Sequence, residues 1–185
     1  MRTFISKGLC FLLLNLASLA VCAAEEQGTN TLKLSSASFS DGQPIPEKYT
    51  CEGKNFSPPL SWNGGVPGTK TFALTCVDPD APGGTWTHWI IYNLPENVTE
   101  LPENISKVEA PPSGGRQGVN SFHKVGYSGP CPPRGQTHHY IFEVYALNEQ
   151  LQLKSKASRK DFEAAIKGHV LARGRLVGTY QKKRP

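Results

Sequence analysis

The sequence is poor in several things at once, and each shortage removes a class of function. Only 19 % of its 185 residues are charged, 20 Lys and Arg against 15 Asp and Glu. Apart from Lys182, Lys183 and Arg184 the positive residues are scattered. There is neither a basic stripe nor a stacking motif of the kind a nucleic-acid binder uses, and a solvated tail accounts for the terminal cluster. No spacing of His, Cys, Asp or Glu matches a metal-ligand motif, and His138 and His139 would point to opposite faces of a strand. The stretch Gly126-Tyr-Ser-Gly129 lacks the spacing of a nucleophile elbow. No catalytic residue, metal or cofactor is therefore expected. Internal repeats, low-complexity blocks and a second domain are absent as well.

One long apolar run is present, Leu9 to Val21, interrupted by Asn15 and Ser18 and preceded by Arg2 and Lys7. It falls short of the roughly 20 residues that a spanning helix needs. With Val21-Cys-Ala23 or Cys22-Ala-Ala24 offering small residues for cleavage, residues 1–24 read as a secretory signal peptide. Residues 25–185 then form one exported domain, periplasmic or secreted, with no stable membrane insertion after cleavage. Lipid attachment at Cys22 is disfavoured by the bulky Val21 before it. Without Arg2 and Lys7 the formal net charge falls from +5 to +3, and a chain of this length can bury a sizeable core unaided.

The same cut leaves Cys51, Cys76 and Cys131. An odd number in an oxidising compartment points to one bridge and one free thiol. Cys76 sits in the apolar run Thr71 to Val77, where a buried inert thiol is the default. Cys51 and Cys131, both in loop-like sequence, are the expected pair.

Short β-branched and aromatic segments bounded by Gly, Pro and Asn read as strands: Leu32 to Phe39, Phe72 to Val77, His88 to Tyr92, Tyr140 to Leu147 and Arg175 to Tyr180. Thr71 to Val77 and Trp89 to Tyr92 are almost continuously apolar, which suits strands covered on both faces. Proline-rich stretches separate them, Phe56 to Pro59, Asp78 to Gly84, Ala110 to Gly115 and Gly129 to Gly135, and these predict stiff surface loops. One helix is expected. Ser158 and Asp161 form a capping pattern, Phe162, Ala165, Ile166 and Val170 share a stripe, and Gly174 stands where a left-handed stop would fall.

Two clusters carry ionisable residues into apolar strands: Asp78-Pro-Asp-Ala-Pro-Gly-Gly-Thr-Trp-Thr-His-Trp89, and the stretch from Gly126 through His138 to Tyr140. If those strands lie side by side, Asp78, Asp80, His88, His138 and Tyr140 converge at one strand end. The plainer account makes Asp a turn cap and each His a satisfied strand residue.

These clusters resemble the two signature regions of the phosphatidylethanolamine-binding (Raf-kinase-inhibitor-like) family, in its bacterial branch. Asp78-Pro-Asp-Ala-Pro82 with His88-Trp89 is similar to the first region. Tyr127, Gly129-Pro130, Pro132-Pro133, Gly135 and His138 with Tyr140 are similar to the second. Cys51 to Trp62, Phe142 to Leu147 and Gly168 to Ala172 also resemble bacterial members, so the likeness runs from about Leu32 to Tyr180. It implies a mainly β fold, antiparallel sheets packed face to face with one C-terminal helix, and a shallow anion pocket. The positions implied to line it are Asp78, Asp80, Trp86, His88, Gly129, Pro130, His138 and Tyr140. His139 stands where many members have Arg, and the short Gly83-Gly84 connection implies a more open pocket than in long-loop relatives.

The partner expected is a small phosphate-bearing or other anionic ligand. Phosphate oxygens would be served by the His rings, the Tyr140 hydroxyl and loop amides near Gly129. Asp78 and Asp80 would orient the histidines and accept from an ammonium or hydroxyl. A carboxylate beside phosphate repels it, so one histidine would carry a proton or one Asp would be engaged by a donor. The alternative function is a protein-interaction module inhibiting a protease or host protein. Asn97-Val-Thr99 and Asn104-Ile-Ser106 match glycan acceptors but are incidental in a bacterial setting.

Overall fold

The computed structural model describes residues 30–183. The leader expected over residues 1–24 and the tail residue Arg184 lie outside the described residues. Nine strands and two helices follow in chain order: β1 Asn30–Thr31, β2 Leu34–Ser35, a 3-10 helix Glu47–Tyr49, β3 Leu60–Trp62, β4 Thr71–Asp78, β5 Trp86–Pro95, β6 Glu100–Leu101, β7 Arg116–Gln117, β8 Thr137–Leu147, α1 Arg159–Ile166 and β9 Val170–Gln181. Six strands form the main sheet in the order β1-β9-β8-β4-β5-β7, and three form a smaller sheet, β2-β3-β6. All pairs are antiparallel except β1 on β9.

Two cores flank the main sheet. Phe72, Leu74 and Cys76 of β4 with Phe142 and Val144 of β8 pack against Leu34, Leu60, Trp62 and Leu101 of the smaller sheet. From the other face Ala73, Ile90, Tyr92, Tyr145 and Leu147 pack on Phe162 and Ile166 of α1. The main sheet is thus a middle layer, and β4 needs apolar side chains on both faces rather than alternation. Each large side chain buried this way contributes about 1.5–3 kcal/mol.

The helix begins as expected and ends earlier. The Ser158 hydroxyl accepts from Asp161 N–H while the Asp161 carboxylate accepts from Ser158 N–H, a reciprocal cap worth about 1 kcal/mol. Gly168, at φ 85°, reverses the chain directly after the helix, so Val170 and Gly174 belong to β9 and not to the helical stripe. Gly174 faces Val144 across β8 and β9, and a Cβ there would strike the Leu32 carbonyl. Close approach of Leu32, just beyond β1, and not helix termination is why that position has no side chain. Of the strand expected over Leu32 to Phe39, Leu32 donates its N–H to Arg173 O of β9 and only Leu34–Ser35 form a ladder with β3. Beyond it Ser36 bonds Pro59 O and accepts from Ser38 N–H, turning the chain away from the ladder.

Cys51 and Cys131 are bonded, with Cα atoms 5.4 Å apart, and Cys76 is a buried free thiol. This is the pairing expected from the sequence.

Candidate functional site

The site is organised by an irregularity in β5. Cys76 pairs with Trp89 and Val77 with Thr87, so His88 is an extra residue with no partner on β4. Strict alternation would send His88 to the α1 face with Ile90 and Tyr92. The bulge instead brings its ring against Tyr140, in the opposite core, at 5.1 Å between centroids. Bulges re-aim side chains in this way at the ends of sheets.

On β8 the ordinary alternation holds. His138 and Tyr140 turn inward beside His88, and His139 turns outward to solvent. Asp78, the last residue of β4, uses both oxygens: Oδ1 accepts from Asp80 N–H and Oδ2 from His138 Nδ1–H, each at 2.8 Å. This pair is almost wholly buried, 4 % and 5 % exposed at the side chains. Nε2 of His138 has only a long contact, 3.4 Å, to Gln136 Oε1.

His88 donates Nδ1–H to the Ser128 carbonyl at 2.5 Å. Burial holds its imidazole below the ordinary histidine range, so the ring is neutral and Nε2 is its acceptor nitrogen. Burial likewise pushes the Tyr140 phenol far above its ordinary value, and the group remains a hydroxyl. That hydroxyl is buried and has no hydrogen-bond partner, although Asp78 and the Cys131 backbone lie close by. Asp78 and the Cys131 backbone are near enough to act on the phenol without a well-formed hydrogen bond, so the hydroxyl is a buried donor that a better-placed acceptor would satisfy.

The remaining expected residues fall around this centre in different ways. Asp80 reaches the outer face, where its Oδ2 accepts from both the backbone N–H and Nδ1–H of His139 at 2.7 and 2.8 Å. Those two donors hold its carboxyl below the ordinary range. Trp86 lies opposite Asp78 across the sheet and is 37 % exposed. Gly129 donates its N–H to Asn55 Oδ1 at 2.7 Å, and the Pro130 carbonyl accepts from Cys51 N–H at 3.0 Å. A side chain at Gly129 would collide with the Tyr49 carbonyl, to which Tyr127 donates its hydroxyl at 2.9 Å. The Cys51–Cys131 bridge closes the same seam. Gly129 and Pro130 therefore press the second loop onto residues 49–55, and their amide and carbonyl are already engaged there.

Sequence reasoning passed over Asn120, Phe122 and Ser128. Asn120 Oδ1 accepts from Phe122 and Lys124 N–H, and its Nδ2 donates to Gly126 O and Ser128 Oγ. An Asn beside Ser immediately ahead of the second cluster is the turn signal that was available.

Asp78, His88, His138 and Tyr140 are 3 %, 2 %, 3 % and 0 % exposed, so the four side chains at the centre of the cluster are themselves buried. Two clefts of about 630 and 550 Å³ lie along α1 and are lined by none of the four. Among the described residues no group of three or more His, Cys, Asp and Glu is arranged to hold a metal ion.

Comparison with known proteins places this geometry in a family. A family model described as phosphatidylethanolamine-binding protein matches residues 35–181. A UPF0098 protein of Methanothermobacter thermautotrophicus is 47 % identical over 152 residues, covering 82 % of this chain and 99 % of the relative. Another, from Aquifex aeolicus, is 46 % identical, covering 84 % of this chain and 91 % of the relative. Among solved structures, a phosphatidylethanolamine-binding protein homologue from Chlamydia trachomatis superposes with TM-score 0.76 at 38 % identity, over 83 % of this chain and 99 % of that one. Escherichia coli YbcL, described as a member of the mammalian family, gives TM-score 0.76 at 34 % identity, over 82 % and 99 %. With the family model spanning residues 35–181 and these relatives 46–47 % identical over more than four fifths of the chain, this chain belongs to the phosphatidylethanolamine-binding protein family.

Proposed function

We propose that the protein is an exported binding protein for a small anionic ligand, phosphate-bearing or like a phospholipid head group, held at the end of β4, β5 and β8. The observation that carries this reading is the Tyr140 hydroxyl, a buried donor without a well-formed hydrogen bond, beside two histidines. A ligand oxygen would satisfy it. Both oxygens of Asp78 are turned to N–H groups, so Tyr140 and His138 rather than Asp78 would meet the ligand. With Nδ1–H of His138 fixed on that carboxylate, Nε2 is the nitrogen that would face the ligand. Neutral His88 would accept from a ligand hydroxyl or ammonium rather than donate a charge. Burial means the ligand enters by a small outward movement of the loops at Asp80 and Ser128. The Cys51–Cys131 bridge supports an oxidising compartment, consistent with export under the leader read in residues 1–24.

Titration calorimetry of the purified protein with inorganic phosphate, phosphoethanolamine and a citrate control tests the reading. Saturable binding of the two phosphates is expected, abolished by His138→Ala and weakened about tenfold by Tyr140→Phe, the loss of one good hydrogen bond. The same Tyr140→Phe protein should be as stable as the parent or more so by about 1 kcal/mol in urea unfolding, since it loses a buried unpaired hydroxyl. A purely structural Tyr140 predicts reduced stability and no phosphate binding in either protein, which would overturn the proposal.

A further inference from the structure

Three large apolar side chains are exposed to a third or more among the described residues, Trp86, Val108 and Phe122. Single apolar residues at a surface are ordinary. Two of these three, however, touch: the Trp86 and Phe122 rings meet edge to face, centroids 5.4 Å apart. Phe122 also packs edge to face on His88 at 5.4 Å, and His88 on Tyr140 at 5.1 Å. An unbroken file of four rings therefore runs from solvent to the unpaired hydroxyl.

The outer half of that file is held in place by construction. Phe122 rides on a turn whose backbone is fixed by the buried Asn120 side chain, with His123 at φ 58° completing it. Ser121 fastens the turn to β5 next to Trp86: its N–H donates to Thr87 O and its hydroxyl accepts from Thr87 N–H, both at 2.9 Å. A pair of exposed rings is far too small for a stable protein interface, which needs about 1,000 Å² or more. It matches one flat apolar group.

We infer that Trp86 and Phe122 form a second subsite for an aryl or similarly planar apolar group carried by the same ligand, so that this protein selects aromatic anions over small alkyl ones. The inference rests on the anion site proposed above and adds Phe122 as a specificity-determining residue. The anionic end lies at Tyr140 and His138, and the planar end leaves the site along His88 to stack at the rim.

Calorimetry with inorganic phosphate, methyl phosphate and phenyl phosphate separates the two readings. Wild-type protein should bind phenyl phosphate about tenfold more tightly than methyl phosphate, the difference one good aromatic contact supplies. Phe122→Ala should erase most of that preference, read as the ratio of the phenyl phosphate and methyl phosphate affinities. Phe122→Tyr, which keeps a ring, should retain it. Equal affinity for methyl and phenyl phosphate in the wild type, or a preference that survives Phe122→Ala, overturns the aryl subsite and leaves the anion site standing. Binding of none of the three overturns both.

Discussion

Strand β8 carries two histidines in succession, one paired with Asp78 at the end of β4 and the other with Asp80 just beyond it, and the two pairs differ in almost everything except chemistry. His138 and Asp78 are closed between the sheets, while His139 and Asp80 sit in solvent with side chains 54 % and 39 % exposed. The Nδ1 to Oδ2 distance is 2.8 Å in both. Distance therefore says nothing about weight. In the inner pair each partner satisfies a group that has no water to turn to, and the outer pair competes with solvent at every moment. Together they make the Asp78–Asp80 loop straddle the end of β8, gripped from both faces.

The largest effect that would test this contrast is loss of the inner carboxylate. Asp78→Ala leaves His138 Nδ1–H and Asp80 N–H without their acceptor in a buried place, and should lower stability by about 3 kcal/mol in urea unfolding. A loss below about 1 kcal/mol would mean water replaces the carboxylate and that the pair is not closed.

Acid should come next. The His88 imidazole is depressed by burial, so the unfolded chain takes up a proton there before the folded one does. Its contribution is fully present above the ordinary histidine value of 6.5 and is lost as pH falls through and below it. A stability profile between about pH 7 and pH 5 should slope downward toward acid, and less steeply in His88→Gln. Parallel profiles would sink this assignment. The smallest effect belongs to the outer pair. Asp80→Ala should change stability by less than about 1 kcal/mol and, because His139 is not in the cluster, leave phosphate affinity almost unchanged. A larger loss would mean the outer grip closes the loop over the site.

Much of this arrangement can be read in the chain before any coordinates. The four long strands announce themselves because β4, β5, β8 and β9 are rich in β-branched and aromatic residues between proline and glycine. The Cys51–Cys131 pairing follows from which cysteine lies in an apolar run. The Ser158–Asp161 cap marks the helix start. What escapes is whatever depends on register. Nothing near His88 signals a bulge, because a bulge is a relation between β5 and β4, and simple alternation assigns that ring to the wrong face. The split between Asp78 and Asp80 has the same cause: two residues apart where β4 ends, they part company only once β8 passes between them. The early helix end turns on which of two glycines takes positive φ, Gly168 or Gly174, and only the approach of Leu32 decides it. The smaller sheet is hardest of all, since strands of two or three residues carry too little pattern to be recognised.

Cys76 gives the molecule a built-in clock. It is the one free cysteine among the described residues, it lies wholly inside the core between the two sheets, and burial raises its thiol well above the ordinary range. An alkylating reagent can reach it only when the sheets part, and can react quickly only when water lets the thiolate form. The labelling rate thus counts whole-core openings, without any engineered probe and indifferent to movements of the loops at Asp80 and Ser128.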